Sequence, residues 1–259
     1  MAEVTGRNLR GARTLFVKET RRFLKVKTQT ILAPVVTAIL YVIIFRYAMG
    51  ERKVPGLEVD YFTFLVPGLV MMAMLQNAFA NTSSSLISAK MLNVHISLLM
   101  APLSALESVI AFVAAAVLRA LIVAAVLLVT MAPFVPIVPA HIWMVLLFGV
   151  CGGIMMGALG LIGGMWAKKF DDMSMVNNFL IMPLTFLSGV FYSVGQLPPL
   201  WQKINGWNPF FYLIDGFRYG FLGTGDSNPV AAAWVVVIAA MVCVFACWYL
   251  WRIGWRLKE

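Results

Sequence analysis

Few side chains in this sequence could do chemistry, and their spacing narrows the choice further. The only histidines are His95 and His141. The apolar stretches between them place the two on opposite membrane faces, so within one subunit they form neither a metal site nor an acid–base pair. Cys151, Cys243 and Cys247 all lie in apolar segments. Cys243 and Cys247 are one helical turn apart, where packing as small hydrophobes is expected and a disulfide is not. No Gly-x-x-x-x-Gly-Lys-[Ser/Thr] phosphate loop occurs, so the chain is not expected to hydrolyse ATP by itself. Glu107 has no carboxylate near it in sequence. Catalytic, metal and cofactor residues are therefore expected to be absent.

What remains is charge in apolar surroundings. Arg119 lies in the middle of a long apolar run, where a cation is costly and must face protein or water. It reads either as a residue of a transport path or as an arginine snorkelling to an interface. Asp215 and Arg218 are three apart among Tyr212, Phe217, Tyr219 and Phe221. An i,i+3 ion pair there would either hold a gate or simply satisfy two buried charges. Asp171 and Asp172 follow Lys168 and Lys169 at a helix start, where acids suit the helix dipole and can cap it. Gly149, Gly153 and Gly157 recur every four residues, followed by Gly160 and Gly164. Small residues at that spacing let helix backbones approach closely, either inside one subunit or at a sliding or dimer contact.

The elements that must position these groups follow from composition. Of 259 residues 61% are hydrophobic and 12% charged, with a mean hydropathy of +0.88. Soluble domains have about 45–50% apolar and about 25% charged residues, so a water-coated globule is excluded, and so is disorder. Six stretches approach the roughly 20 residues that cross a bilayer. They run over 30–49, 62–80, 106–131, 142–167, 173–192 and 230–251, all in one transmembrane domain spanning 1–259. Before them, 7–27 reads as an amphipathic helix in the headgroup plane, with Leu9, Ala12, Phe16 and Phe23 on one side and Lys18, Arg21, Arg22 and Lys25 on the other. The apolar run begins near residue 30 without a cleavage-type end, which is not the pattern of a signal peptide.

The excess of 20 Lys and Arg over 11 Asp and Glu becomes an orientation once it is placed. One face collects Arg7, Arg10, Arg13, Lys18, Arg21, Arg22, Lys25, Lys27, Lys90, Lys168, Lys169, Arg252, Arg256 and Lys258. The other has Arg46, Arg52, Lys53, Lys203 and Arg218. Both termini are therefore expected in the cytoplasm. The basic N-terminal helix suits anionic lipid; nucleic acid does not fit so apolar a chain. Two connections depart from a plain bundle. Residues 87–99, too apolar for a solvated loop, read as a short cytoplasmic helix that stops before Pro102. The outer stretch 193–229 carries Pro198-Pro199 and Asn208-Pro209, each able to open a helix, and Gly223 as a C-terminal cap. A helix over 209–222 would be about 21 Å long, too short to cross, so a re-entrant pair is expected.

This order of parts resembles the type-2 ABC exporter permeases. Phe64-Leu-Val-Pro-Gly-Leu-Val-Met-Met72 is similar to the opening of that family's second span, and Leu98-Leu-Met-Ala-Pro-Leu-Ser104 to the stretch after its coupling helix. Phe170-Asp-Asp-Met-Ser174 resembles the link before its fifth span. Phe186-Leu-Ser-Gly-Val-Phe-Tyr192, Leu197-Pro-Pro199, Asn208-Pro209 and Gly216-Phe-Arg-Tyr-Gly-Phe-Leu-Gly223 resemble its signature. The likeness covers nearly the whole chain and points to the bacterial drug, polysaccharide and nodulation-factor export branch. It implies an inner-membrane permease working as a homodimer with two copies of a separate ATPase subunit, which binds the ATP and magnesium. It further implies ATPase contacts at Lys90, Met91, Asn93 and His95, and an outer gate formed by the 212–222 helix with Phe191 and Tyr192. Two other classes compete. A secondary transporter driven by an ion gradient calls for acids near mid-membrane, and the central parts of the spans hold none. A lipid-modifying enzyme calls for clustered polar catalytic groups, and only Asp215, Arg218 and the neighbouring tyrosines approach that.

Overall fold

The computed structural model describes residues 8–26, 28–49, 53–54, 59–135 and 138–257. Arg7, Lys27, Arg52 and Lys258 of the charge pattern lie outside the described residues. Everything regular is helical: α1 (Leu9–Lys25), α2 (Ala33–Met49) preceded by a π turn at Thr28–Leu32, α3 (Tyr61–Met91), α4 (His95–Met100), α5 (Ala105–Met131), α6 (Ile142–Trp166), α7 (Phe170–Val176), a second π turn at Asn177–Ile181, α8 (Met182–Leu187), α9 (Pro199–Gly206), α10 (Pro209–Leu222) and α11 (Pro229–Ile253). Among the described residues there is no β-strand. Five helical stretches are long and apolar enough to cross a membrane: 30–47, α3, α5, α6 and α11. The fifth expected span, 173–192, is a broken rod, α7–π turn–α8, that ends at Leu187 instead of continuing to 192.

α3 is the axis of the bundle. In its most apolar window 83% of residues are buried, against 17% in the first span, so the first span leaves most of its surface for lipid or a partner. Without a hydrophobic drive between helices in lipid, association rests on close packing and interhelical hydrogen bonds. The α6 glycines supply both. Gly157 lies against Ala116 and Val113 of α5, Gly153 against Val117, and Gly160 directly against the Phe79 carbonyl and the Thr82 hydroxyl of α3. Thr82 Oγ1 donates to Gly157 O at 2.8 Å. The glycine stripe thus faces its own subunit, with Gly149 on Met74 and Phe217.

Three further features differ from expectation, each for a local reason. α3 does not stop near Ala80 but runs through the polar stretch to Met91. Ser83 and Ser84 donate back to the carbonyls four residues earlier, at 2.8 and 2.6 Å, which keeps a Ser/Thr run helical where no water competes. The single helix expected over 87–99 is therefore two pieces meeting at a corner. There Val94 N donates to Ala89 O and Asn93 N to Lys90 O, with Asn93 at φ +56°. This is a Schellman ending, and asparagine tolerates its left-handed residue. Finally, α1 is turned about its axis relative to the expected face. Leu15, Glu19 and Phe23 point inward, while Leu9 is exposed.

Candidate functional site

Arg119 is held on α5 some 14 residues from its start, about 21 Å along the helix and near its midpoint. Its Nε and Nη2 donate to Asn77 Oδ1 on α3 at 3.2 and 2.9 Å. Asn77 Nδ2 donates to Ala73 O at 3.0 Å, which fixes the amide with its oxygen toward the guanidinium. Both ion pairs between described residues involve Glu19, so Arg119 meets a neutral amide and no described carboxylate. It lines a cavity of about 680 Å³ that reaches Arg22 at one end and Tyr41 at the other, walled by α2, α3 and the α7–π turn segment. Sequence had reserved Arg119 for a path or a snorkel; the side chain turns to protein and cavity.

Arg22 and Glu19 were not foreseen as interior groups. Glu19 is fully buried. Its Oε2 accepts from Arg22 Nε at 3.0 Å and from Ser85 Oγ at 2.6 Å. Arg22 reaches on to α3, donating to Asn81 O at 2.6 Å and Asn81 Oδ1 at 3.1 Å. The polar run Asn81–Ser85 is thus the docking strip for α1. The one sequence signal was an acid within a basic helix, opposite a Ser/Asn-rich stretch with no visible purpose. At its other end α1 is tied to α5, since Glu107 Oε1 accepts from Asn8 N at 2.6 Å while Oε2 closes a capping box with Ser104.

At the corner between α3 and α4 the four residues expected to meet an ATPase do different things. Lys90 Nζ donates to Met165 O and Ala167 O, each at 2.8 Å. It caps the C-terminus of α6, where a cation suits the helix dipole. His95 is buried. Met91 and Asn93 are exposed, and with Leu92, Val94, Ile96 and Met100 they form a largely apolar knob. Nearby, Asp172 Oδ2 accepts from the N–H groups of Lys168 and Lys169 at 2.8 and 3.0 Å. Those two bonds hold the Asp172 carboxyl below its usual range.

The outer residues form a separate group, and Asp215 and Arg218 do not pair. Asp215 accepts from Asp226 N at 2.9 Å and from Ser227 N at 2.8 Å, fastening the turn that leads into α11. Asp226 in turn accepts from Ser193 Oγ at 2.6 Å and Val194 N at 2.8 Å. Arg218, also buried, points the other way. Its Nη2 donates to Gly189 O at 2.7 Å, its Nε to Phe64 O at 3.2 Å, and its guanidinium lies 3.7 Å from the centre of the Phe64 ring. A buried arginine is thus satisfied by carbonyls and an aromatic face, and the expected i,i+3 ion pair is replaced by two separate fastenings.

Phe191 is the hub of the outer aromatics, 5.4 Å from Tyr41, 5.3 Å from Phe45 and 5.6 Å from Phe186. Its carbonyl accepts from Tyr61 Oη at 2.7 Å. Tyr41 also lines the cavity, so this cluster adjoins the cavity at its Tyr41 end. Tyr192 Oη donates to Leu187 O at 2.8 Å, capping α8. Tyr219 stacks on His141, centres 5.3 Å apart, and Tyr212 Oη donates to Gly206 O at 3.0 Å. Arg218 and Tyr192 thus fasten the segment that carries Phe191, Tyr219 packs apart on His141, and Arg119 stands in the cavity. Among the described residues no three His, Cys, Asp or Glu side chains come together.

Comparison with known proteins bears on this arrangement. Residues 10–222 match the family described as ABC-2 type transporter. The inner membrane transport permease YadH of Escherichia coli strain K12 is 38% identical over 248 residues, covering 95% of this chain and 96% of that protein. The YadH protein of Shigella flexneri matches to the same extent. Nodulation protein J of Rhizobium leguminosarum bv. viciae is 30% identical over 90 residues, a third of each chain.

Proposed function

The chain belongs to the ABC-2 type transporter family as a multi-pass inner-membrane transport permease, and from that premise we propose that it is the membrane half of an ATP-driven exporter. Two copies form the translocation path, and two copies of a separate ATPase subunit bind ATP and magnesium and drive it. The observation that carries this reading is the cavity itself. It extends from the Arg22 end of the basic helix past Arg119 and stops at the Phe191 aromatic cluster. In a chain with six spans and both termini in the cytoplasm, that is a path reaching inward and closed outward. The positive-inside distribution supports the orientation.

In this reading α1 lies in the inner headgroup layer and meets anionic lipid with its outward cations, Arg10, Arg13, Lys18 and Arg21. α9 and α10 enter the outer leaflet without crossing, and irregular backbone around them survives because it is packed against protein. The knob at Met91–Met100 is the ATPase contact, with Asn93 shaping the corner and Lys90 and His95 holding it from within. When ATP closes the ATPase pair, movement of this corner is carried along the unbroken α3 to Asn77 and to the outer aromatics. Such coupling requires one element that both sites bias, and α3 touches every part named. The test is purification from native membranes in mild detergent: an ATPase subunit is expected to accompany the chain, and its reproducible absence overturns the reading.

A further inference from the structure

Resting on the exporter reading, we infer that Arg119, part-way along the cavity, holds the anionic head group of an amphiphilic substrate. The argument begins with an imbalance of donors. A guanidinium sits about halfway along a membrane-crossing helix and its described partner is one neutral amide oxygen, shared by two of its nitrogens. Gln76, one residue from Asn77 and lining the same cavity, has a buried Nε2 with no acceptor among the described residues. Both groups donate, and neither is matched. An uncompensated cation in an apolar span is retained at a cost of several kcal/mol unless something pairs with it. The other arginine of the cavity shows the contrast, since Arg22 has Glu19 as counter-ion and α3 oxygens besides.

The missing partner is therefore an acceptor-rich anion, and the cavity says what is attached to it. The lining is mixed: toward Tyr41 it carries an apolar strip of Pro34, Ala38, Leu69 and Met72 with Thr37 among them, while Thr30, Ser83 and Ser84 make it polar toward Arg22. Its volume of about 680 Å³ falls within the range of roughly 300–1,000 Å³ typical of small-molecule sites. A bare inorganic anion would leave this apolar strip unmatched, and a neutral amphiphile would leave the guanidinium unpaired. A phosphate, sulfate or carboxylate head on an apolar tail matches both. Arginine suits such heads because its planar fork donates two parallel bonds.

The test is a titration of the full chain, purified in dodecyl maltoside, with dodecyl phosphate below its micellar concentration. Inorganic phosphate and dodecanol serve as the head-only and tail-only arms. Saturable binding of dodecyl phosphate is expected, with neither other arm competing at equal concentration. Arg119→Gln should weaken it at least tenfold, and Arg119→Lys by less. Asn77→Asp is the variant that does not depend on removing the arginine: it supplies an internal carboxylate against Arg119 without changing size, and should likewise weaken binding at least tenfold while the chain elutes as the same assembly. Lys203→Gln, on the exposed face of α9, should leave it unchanged. The inference is overturned if dodecanol or inorganic phosphate binds as well as dodecyl phosphate, or if Asn77→Asp binds normally. It is also overturned if Arg119→Gln dissociates the subunits without altering dodecyl phosphate binding. The titration needs no ATP hydrolysis, so its failure leaves the exporter reading standing. Loss of the ATPase partner would overturn that reading without touching the titration.

Discussion

Gly160→Ala tests the packing that places every functional residue. A Cβ at Gly160 would run into the Phe79 carbonyl, the Phe79 Cα and the Thr82 hydroxyl. Two of those are backbone of a buried helix, so no side-chain end can swing aside and α3 must move from α6. A gap of about 1 Å forfeits a quarter to a half of the dispersion energy of the contact, and overpacking of this kind costs about 1–3 kcal/mol. The separation also stretches the 2.8 Å Thr82–Gly157 bond, worth about 0.6 kcal/mol in a membrane interior. Alanine returns up to about 1 kcal/mol of helix propensity. The net loss is about 1–3 kcal/mol, which for a chain of this size lowers Tm by about 3–10 °C. Thermal unfolding in mild detergent, followed by the fluorescence of the eight tryptophans, measures it. Gly206→Ala at the last residue of α9 is the control, since nothing lies within 4 Å of a Cβ there, and it should leave Tm unchanged or raise it by up to about 4 °C. A Gly160→Ala protein that melts with the wild type would refute the α3–α6 approach. One that keeps its Tm but falls apart into monomers would move the glycine stripe to the dimer contact.

Three further outcomes follow from the same contacts. Glu19→Gln leaves Arg22 without its counter-ion, so α1 should lift from α3 and trypsin should cut after Arg21, Arg22 or Lys25 at least about five-fold faster; an unchanged rate contradicts the docking role of Asn81–Ser85. Arg218→Gln withdraws the donor from the Gly189 carbonyl, and amide exchange across 188–194 should rise at least about tenfold, whereas an unaltered turn would mean the arginine holds nothing. Asp172 has a carboxyl held below the usual value by the Lys168 and Lys169 N–H groups. Its contribution is therefore fully present above the ordinary carboxylate pKa of about 3.9 and is lost as pH falls through its lower folded value. Asp172→Asn should melt below wild type at pH 7, and the gap should close as the pH is taken below about 4; a gap independent of pH refutes the assignment.

Much of this architecture is legible without coordinates because the local rules act alone there. Apolar length marks the spans, paired prolines open α9 and α10 where expected, and Gly223 at φ +71° ends α10. Failures begin where a residue's partner is distant. Pattern reasoning treats Arg22 as one of a row of outward cations and has no place for a buried Glu19, since the partners on the Asn81–Ser85 strip that hold the half-buried Arg22 and the buried Glu19 lie far along the chain. It pairs Asp215 with Arg218 because they are neighbours on one helix, whereas each finds better partners in flanking turns. It ends α3 at the first polar residues, because whether serines break a helix or bond back along it depends on the dryness of the surroundings. Lys90 looked like a surface contact until the open carbonyls at the end of α6 came to lie beside it. Arg119 is the reverse case, conspicuous in sequence for the same reason that it matters in the fold.

The central claim is that ATP hydrolysis by a partner is transmitted through the Met91–Met100 corner. Its most direct measurement is the ATPase rate of the copurified complex carrying Asn93→Asp, which keeps a residue tolerant of the left-handed corner while adding a charge to the apolar knob. The account expects the ATPase subunit to remain bound or to bind more weakly, with permease-dependent ATP hydrolysis reduced at least about five-fold, as a lost interface contact of about 1 kcal/mol implies. Hydrolysis at the wild-type rate, with normal assembly, would contradict it.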